Sequence, residues 1–238
     1  MPMPKKRIAK FQRARRPAQV EQRKEAILSA ALTLFLRCGL ENVSLNDIAR
    51  EAGSAKSNIY RYFDSREHIY LIILQRLATE FEGRIYPALE KLRGKGTVDK
   101  VAKILVEAYV DSPEYGELIT VVNAVLERRL TPELVVNFRS VFLERRKRLA
   151  AALTAALLGA AYEKTLPLTL HIFLHVPGLW TFCYPRRESL TLLNEPSHAH
   201  LKLDFRQEMT LFLRPILKAA IAVEPPQRML GTADGDVG

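Results

Sequence analysis

From Glu21 onward the apolar residues fall at three- and four-residue spacing, so that Ala26, Ile27, Ala30, Ala31, Leu34 and Phe35 share one helix face. Gly39 is suited to end that helix, since glycine accepts the left-handed conformation that follows a last turn. Ser44 is a good cap for a short second helix over 45–52, with Asp47 in its first turn, where a negative charge suits the helix dipole. Gly53 breaks it, a third short helix is predicted over 55–62, and Asp64-Ser65 restarts the chain into a long helix from 66 to about 85.

The same start signals continue. Thr97 caps a helix reaching 111, and Ser112-Pro113-Glu114 supplies a cap, a first-turn proline and a favourable charge for a helix reaching 130. Thr131-Pro132-Glu133 repeats the device for a helix ending near Gly159, and two more helices follow over 166–184 and 202–223. Pro215 lies inside the last and is expected to kink or interrupt it. No period-two alternation and no repeat of fixed length stands out. The pattern predicts an all-α fold. Residues 21–65 form an N-terminal three-helix domain holding a helix-turn-helix, and 66–223 a larger helical domain, flanked by a flexible arm over 1–20 and a disordered tail over 224–238.

Composition changes this picture at one point. The 238 residues are 48% hydrophobic, enough for a sizeable core, yet the net charge is +10. Lys5, Lys6, Arg7, Lys10, Arg13, Arg15 and Arg16 all precede Glu21, the first acidic residue. Such an arm suits a polyanion, either DNA phosphate or an anionic membrane face, or else is simply a solvated tail. No apolar stretch follows it, which argues against a secretion signal. The segment 166–185 is apolar, but His171, His175 and a Pro177-Gly178 break make it a buried helix rather than a membrane span. Cys38 and Cys183 lack CxxC spacing and suggest buried thiols in a reducing cytoplasm. His171 and His175 stand one turn apart, as metal ligands can, but no cysteine or carboxylate completes a site, so a structural role is preferred. There is no phosphate-cradling glycine loop, no HExxH and no nucleophile–base pair. Neither an enzyme nor a cofactor is called for.

A helix-turn-helix makes three local demands: a small residue where the helices cross, a turn residue tolerant of positive φ, and an aliphatic anchor in the second helix. Ala49, Gly53 and Ile59 meet them, with Ile48 and Ala52 completing the buried face. The surrounding stretch, ILSAALTLFLRCGLENVSLNDIAREAGSAKSNIYRYFDSREHIYLIIL, resembles the DNA-binding domain of the TetR family over about residues 21–75. By that resemblance Ser44 caps the middle helix and contacts phosphate, and Lys56, Ser57, Asn58, Tyr60 and Tyr62 occupy the DNA-facing recognition segment. Arg66 matches the basic residue that opens the fourth helix and meets the DNA backbone. The chemistry fits: Lys56 and Arg66 neutralise phosphate, Asn58 offers adenine a paired donor and acceptor, and the tyrosines offer hydroxyls, with packing as their alternative role. One departure is Ser54-Ala55 after the turn glycine, where the family has an aliphatic residue and then a hydroxyl that caps the recognition helix.

The resemblance also implies a sequence-specific transcriptional regulator, a repressor on a palindromic double-stranded operator. It would form a homodimer through its last two long helices, with a small-molecule effector in the helical body. The stretch 171–184 followed by 205–217 is similar to a C-terminal pattern of the family, more loosely than the head. Tyr109, Tyr115, Asn123, Phe138, Phe142 and Trp180 are the candidate effector residues, because such pockets mix aromatic walls with few polar groups. The chain is expected to be cytoplasmic, with no membrane partner and no metal.

Overall fold

The computed structural model of the chain describes residues 6–121, 127–185 and 187–221. Among them the elements are α1 (Lys6–Cys38), α2 (Leu45–Glu51), α3 (Lys56–Ile59), α4 (Arg66–Glu90), α5 (Val98–Val110), α6 (Pro113–Val121), α7 (Pro132–Ala156), α8 (Tyr162–Cys183), α9 (Arg187–Leu193) and α10 (Phe205–Ile221). Short 3-10 turns fall at Leu40–Asn42, Glu127–Arg129 and Pro196–Leu201, and an isolated bridge joins Gly96 to Leu157. The described residues hold no strand. The all-α expectation holds.

The caps read at Ser44, Thr97 and Thr131 are found where the sequence put them, but Ser112, read as the cap of α6, leaves its hydroxyl buried without a partner and meets the helix only through its carbonyl, which accepts from the Gly116 amide. Ser44, Ser65, Thr97 and Thr131 each accept a hydrogen bond from a backbone amide in the first turn of the following helix. Three departures have physical reasons. Helix α1 begins at Lys6 rather than near Glu21 and runs through Pro17; the Lys, Arg, Gln and Ala of the arm are good helix formers. Helix α8 runs through Pro167 and the Pro177-Gly178 pair, and α10 runs through Pro215. An interior proline costs about 3 kcal/mol. Burial of Leu168, Ile172, Val176 and Trp180 on α8, and of Met209, Leu213 and Leu217 on α10, outweighs it. Helix α6 is described only to Val121, and the chain reaches α7 through a 3-10 turn rather than one helix to residue 130. Helix α9 and the turn after it were not foreseen.

The head packs α1 against α2 and α4, burying Ile27, Ala31, Phe35, Ile48, Ile59, Phe63 and Ile69. Tyr70 is completely buried there, and its hydroxyl donates to the Ala31 carbonyl at 3.1 Å. The body packs α4 to α8 and α10 around α8, whose neighbours are α6, α7 and α10. Helix α8 is long and apolar enough to cross a membrane, yet its buried face belongs to this core.

A close approach in the body lies between α6 and α8. Gly116 faces the Trp180 ring so closely that a Cβ would stand 2.5 Å from it. Trp180 is held by Tyr184 (centroids 4.4 Å apart), by Phe205 (5.1 Å) and by its indole N–H donating to Glu117 Oε2 at 3.1 Å. The ring has nowhere to go. Gly116→Ala should lower the urea unfolding free energy by about 1–3 kcal/mol, despite alanine's better helix propensity.

Candidate functional site

In the head, Ser44 closes a capping box. Its hydroxyl accepts from the Asp47 amide (3.2 Å) and donates to Asp47 Oδ2 (2.6 Å), while its own amide donates to the same carboxylate (3.0 Å). The Ser44 hydroxyl, then the Ser44 amide, hold the Asp47 carboxyl below its ordinary value, with Arg50 adding a smaller pull. Arg50 pairs with Asp47 at 2.7 Å on the exposed side of α2. The capping role suggested by resemblance is therefore present in the geometry.

Gly53 takes a φ of 59°, the left-handed turn between α2 and α3. Helix α3 is a single turn whose cap residue, Ala55, makes no side-chain hydrogen bond, so the missing hydroxyl is a real gap. Ile59 anchors the turn, with no exposure at all, and Phe63 joins it in the core. This fixes which side faces out. Lys56, Ser57 and Tyr60 are exposed and Asn58 half-buried. The Lys56 ammonium lies 6.0 Å from the centroid of the Tyr60 ring, one helical turn on. Among the described residues the Asn58 carboxamide has no hydrogen-bond partner, which leaves its donor and acceptor free.

Two expected contact residues are placed otherwise. Tyr62 is half-buried and packs against the head core, its ring edge-on to Phe63 at 6.5 Å. The Arg66 side chain is only 14% exposed. Its guanidinium donates to the carbonyls of Val43 (2.6 Å) and Leu40 (3.1 Å) and pairs with Glu67 at 2.8 Å. Rather than presenting a charge outward, Arg66 fastens the start of α4 to the turn before α2. Sequence position gave no sign of this, because the carbonyls it meets lie 23 and 26 residues away.

The body holds a small, partly open cavity of about 70 Å³ lined by α4 (Phe81, Glu82, Tyr86), α5, α6, α7 (Phe142, Arg145, Arg146) and α8 (Thr169, Phe173). Of the candidate effector residues it brings together Tyr109, Tyr115 and Phe142. Phe138 sits beside Phe142, rings stacked 6.4 Å apart, off the lining, and Trp180 belongs to the α6–α8 contact. Asn123 lies outside the described residues, as do residues 1–5 of the arm and the tail 224–238. Burial pushes the hydroxyls of Tyr86 and Tyr115 up to about 12 and that of Tyr109 well above its ordinary value, so all three stay neutral donors. Among the described residues no cluster of three His, Cys, Asp or Glu could hold a metal. His175 stacks on Phe212 at 3.7 Å, and Cys38 is exposed rather than the buried thiol expected.

A helix-turn-helix head joined by one long helix to a hollow helical body is the build of a one-component DNA-binding regulator. Residues 27–72 match the bacterial regulatory proteins of the tetR family, and residues 74–222 match the tetracyclin repressor-like C-terminal domain. The chain belongs to the TetR family of bacterial regulatory proteins. It is 27% identical over 131 residues to the HTH-type transcriptional regulator RutR of Escherichia coli O157:H7, covering 55% of this chain and 62% of that protein, less than two thirds of the relative's length. With the HTH-type transcriptional regulator EthR of Mycolicibacterium smegmatis the identity is 25% over 200 residues, covering 71% of this chain and 92% of that one. A transcriptional regulator from Rhodococcus superposes with a TM-score of 0.56 at 15% identity, covering 84% of this chain and 98% of that one. The fatty acid degradation regulator FadR of Bacillus halodurans superposes with 0.51 at 17% identity, covering 84% and 94%. These last two show the fold alone.

The different placements of Lys56 and Arg66 separate their effects. Arg66→Ala should lower the unfolding free energy by about 2 kcal/mol, because two carbonyls lose a charged donor. Lys56→Ala should leave thermal unfolding unchanged while reducing the salt dependence of DNA binding by about one ion per reading head.

Proposed function

We propose that the chain is a repressor that binds a palindromic operator as a homodimer and leaves it when a small molecule occupies the body cavity. The observation that carries this reading is the outward set on α3. Lys56, Ser57, Asn58 and Tyr60 stand together on the side opposite the Ile59 anchor, and the Asn58 amide is free to pair with a base edge. Lys56 supplies phosphate contact without sequence information, and the exposed N-terminus of α2 at Ser44 offers backbone donors to a second phosphate. Tyr62 and Arg66 support this surface from behind.

Dimer formation is supported by the outer faces of α8 and α10. Leu174 and Phe182 on α8 and Leu211 on α10 are 57%, 72% and 63% exposed, an apolar set on neighbouring helices. Two helices from each subunit would bury it in a four-helix contact with two-fold symmetry, matching a palindromic site. The cavity supports release by a ligand that prefers one conformer of the body, since a ligand with equal affinity for both shifts nothing. The run from Lys5 to Arg16 adds backbone attraction beside the duplex.

Selection of bound sequences from random duplex DNA at physiological salt tests the reading. The wild type should enrich a palindrome, and the Asn58→Ala, Tyr60→Ala double variant should lose it. Equal retention of DNA by both proteins without enrichment would assign binding to the N-terminal basic run and end the repressor reading. Independently, Leu174→Arg with Phe182→Arg should give a folded monomer in sedimentation velocity, since both side chains are exposed in the single chain.

A further inference from the structure

The connection between α8 and α10 presents apolar surface that the single chain leaves uncovered. It is made of α9 and the 3-10 turn Pro196–Leu201, and among the described residues these two pack chiefly on each other. Leu190, Leu192, Leu201 and Leu203 lie on it or at its end, each 40% to 59% exposed. A single leucine at a surface is ordinary, but four in one short segment form a patch. The segment is not a loose loop that could fold them inward. The amides of Asn194 and Glu195 donate to the carbonyls of Leu190 and Leu192, both at 3.1 Å, and the His198 amide donates to the Glu195 carbonyl at 3.0 Å. The His198 ring stands 3.2 Å from the Leu192 carbonyl and 3.5 Å from the Glu195 carboxylate. These local bonds give the connection a shape of its own, with its leucines outward.

Position and size point to the occupant. Both ends of the connection run into the apolar face of α8 and α10: Phe182, 72% exposed, precedes it, and Leu203 leads into Phe205 at the start of α10. The patch therefore continues the set Leu174, Phe182 and Leu211. A stable interface buries about 800 Å² on each partner around an apolar centre. Three side chains make a small centre for that area, and the four leucines more than double their number. Symmetry places them together. Two heads reading one duplex require a two-fold axis running from body to heads, so the head-side ends of both copies of α8 lie at the same end of the contact. The connection leaves α8 at that end, where Tyr184 lines an open cleft with Leu36 and Leu40 of the head.

We propose that the α8–α10 connection is a clasp, laying Leu190, Leu192, Leu201 and Leu203 on a second copy of this chain at the head-side end of the α8–α10 contact. The inference rests on the homodimer reading above. Its test compares the full-length wild type with the quadruple variant Leu190→Ser, Leu192→Ser, Leu201→Ser, Leu203→Ser and with the Leu174→Arg, Phe182→Arg variant. In a sedimentation velocity concentration series, the serine variant should have a dimer dissociation constant at least about tenfold above the wild type's, with an unchanged circular dichroism spectrum. Hydrogen exchange at the amides of 187–203 should be at least about tenfold slower in the wild-type dimer than in the Leu174→Arg, Phe182→Arg monomer. The exchange measurement needs no serine variant and stands even if that chain does not fold.

A wild-type dimer whose dissociation constant the serines leave within about twofold would overturn the clasp and keep the dimer. Exchange over 187–203 as fast in that dimer as in the monomer would do the same. Protection that persists in the monomer and disappears when the chain ends at 223 would give the leucines to the protein's own tail, which also overturns the clasp. A wild type that stays monomeric at every concentration removes the dimer reading itself, and the clasp with it.

Discussion

The middle of α4 lies where the core of the head runs on into that of the body, and its bonds to α7 limit how either end can move. Its first turns bury Ile69, Tyr70 and Ile73 with the head, and its last bury Phe81, Ile85 and Leu89 in the body. At its midpoint Arg145 donates to Gln75 and Thr79, and Glu82 pairs with Arg145 and Arg148. A helix of 25 residues is about 37 Å long and behaves as a stiff rod over that length. A body that rearranges around residues 78–86 must carry the head with it or break those bonds. The ion pair is mostly shielded from water, so salt weakens it little.

The Arg66 clamp completes this linkage at the other end. Because its guanidinium holds the carbonyls of Leu40 and Val43, the entrance to α2 is fixed relative to the first turn of α4. Helices α2 and α3 are short and have little stability of their own. Their orientation is inherited from α1 and α4 through Ile48, Ile59 and Phe63. The exposed residues of α3 are thus aimed by buried ones, and a change in the direction of α4 moves them as a set.

Much of this was legible from local signals, and the failures mark where local signals stop. Ser44, Thr97 and Thr131 cap helices because a hydroxyl and an amide three residues on meet without help from the fold. Gly53, Ala49 and Ile59 were readable for the same reason. Pro215 misled because burial on α10 outweighs a local penalty. Arg66 misled because its partners are distant in sequence. The cavity was half legible: Tyr109, Tyr115 and Phe142 line it, whereas Tyr86, Arg145 and Phe173 were missed and Phe138 and Trp180 face elsewhere. Helix α8 is apolar on its outer face too, at Leu174 and Phe182, so periodicity alone cannot say which side is inward.

The bare cap at Ala55 has a thermodynamic side. The first turn of α3 has no side-chain acceptor, only the Ala55 carbonyl accepting from the Asn58 amide at 2.9 Å, and one helical turn gains little from its own backbone. The acceptor it lacks is one that a polyanionic strand carries at regular intervals. A duplex whose backbone brings a phosphate oxygen to that point completes the turn; one that is wider or differently bent leaves it frayed. Discrimination would then include a contribution from the shape of the groove, read by an unfinished helix rather than by any base-facing side chain.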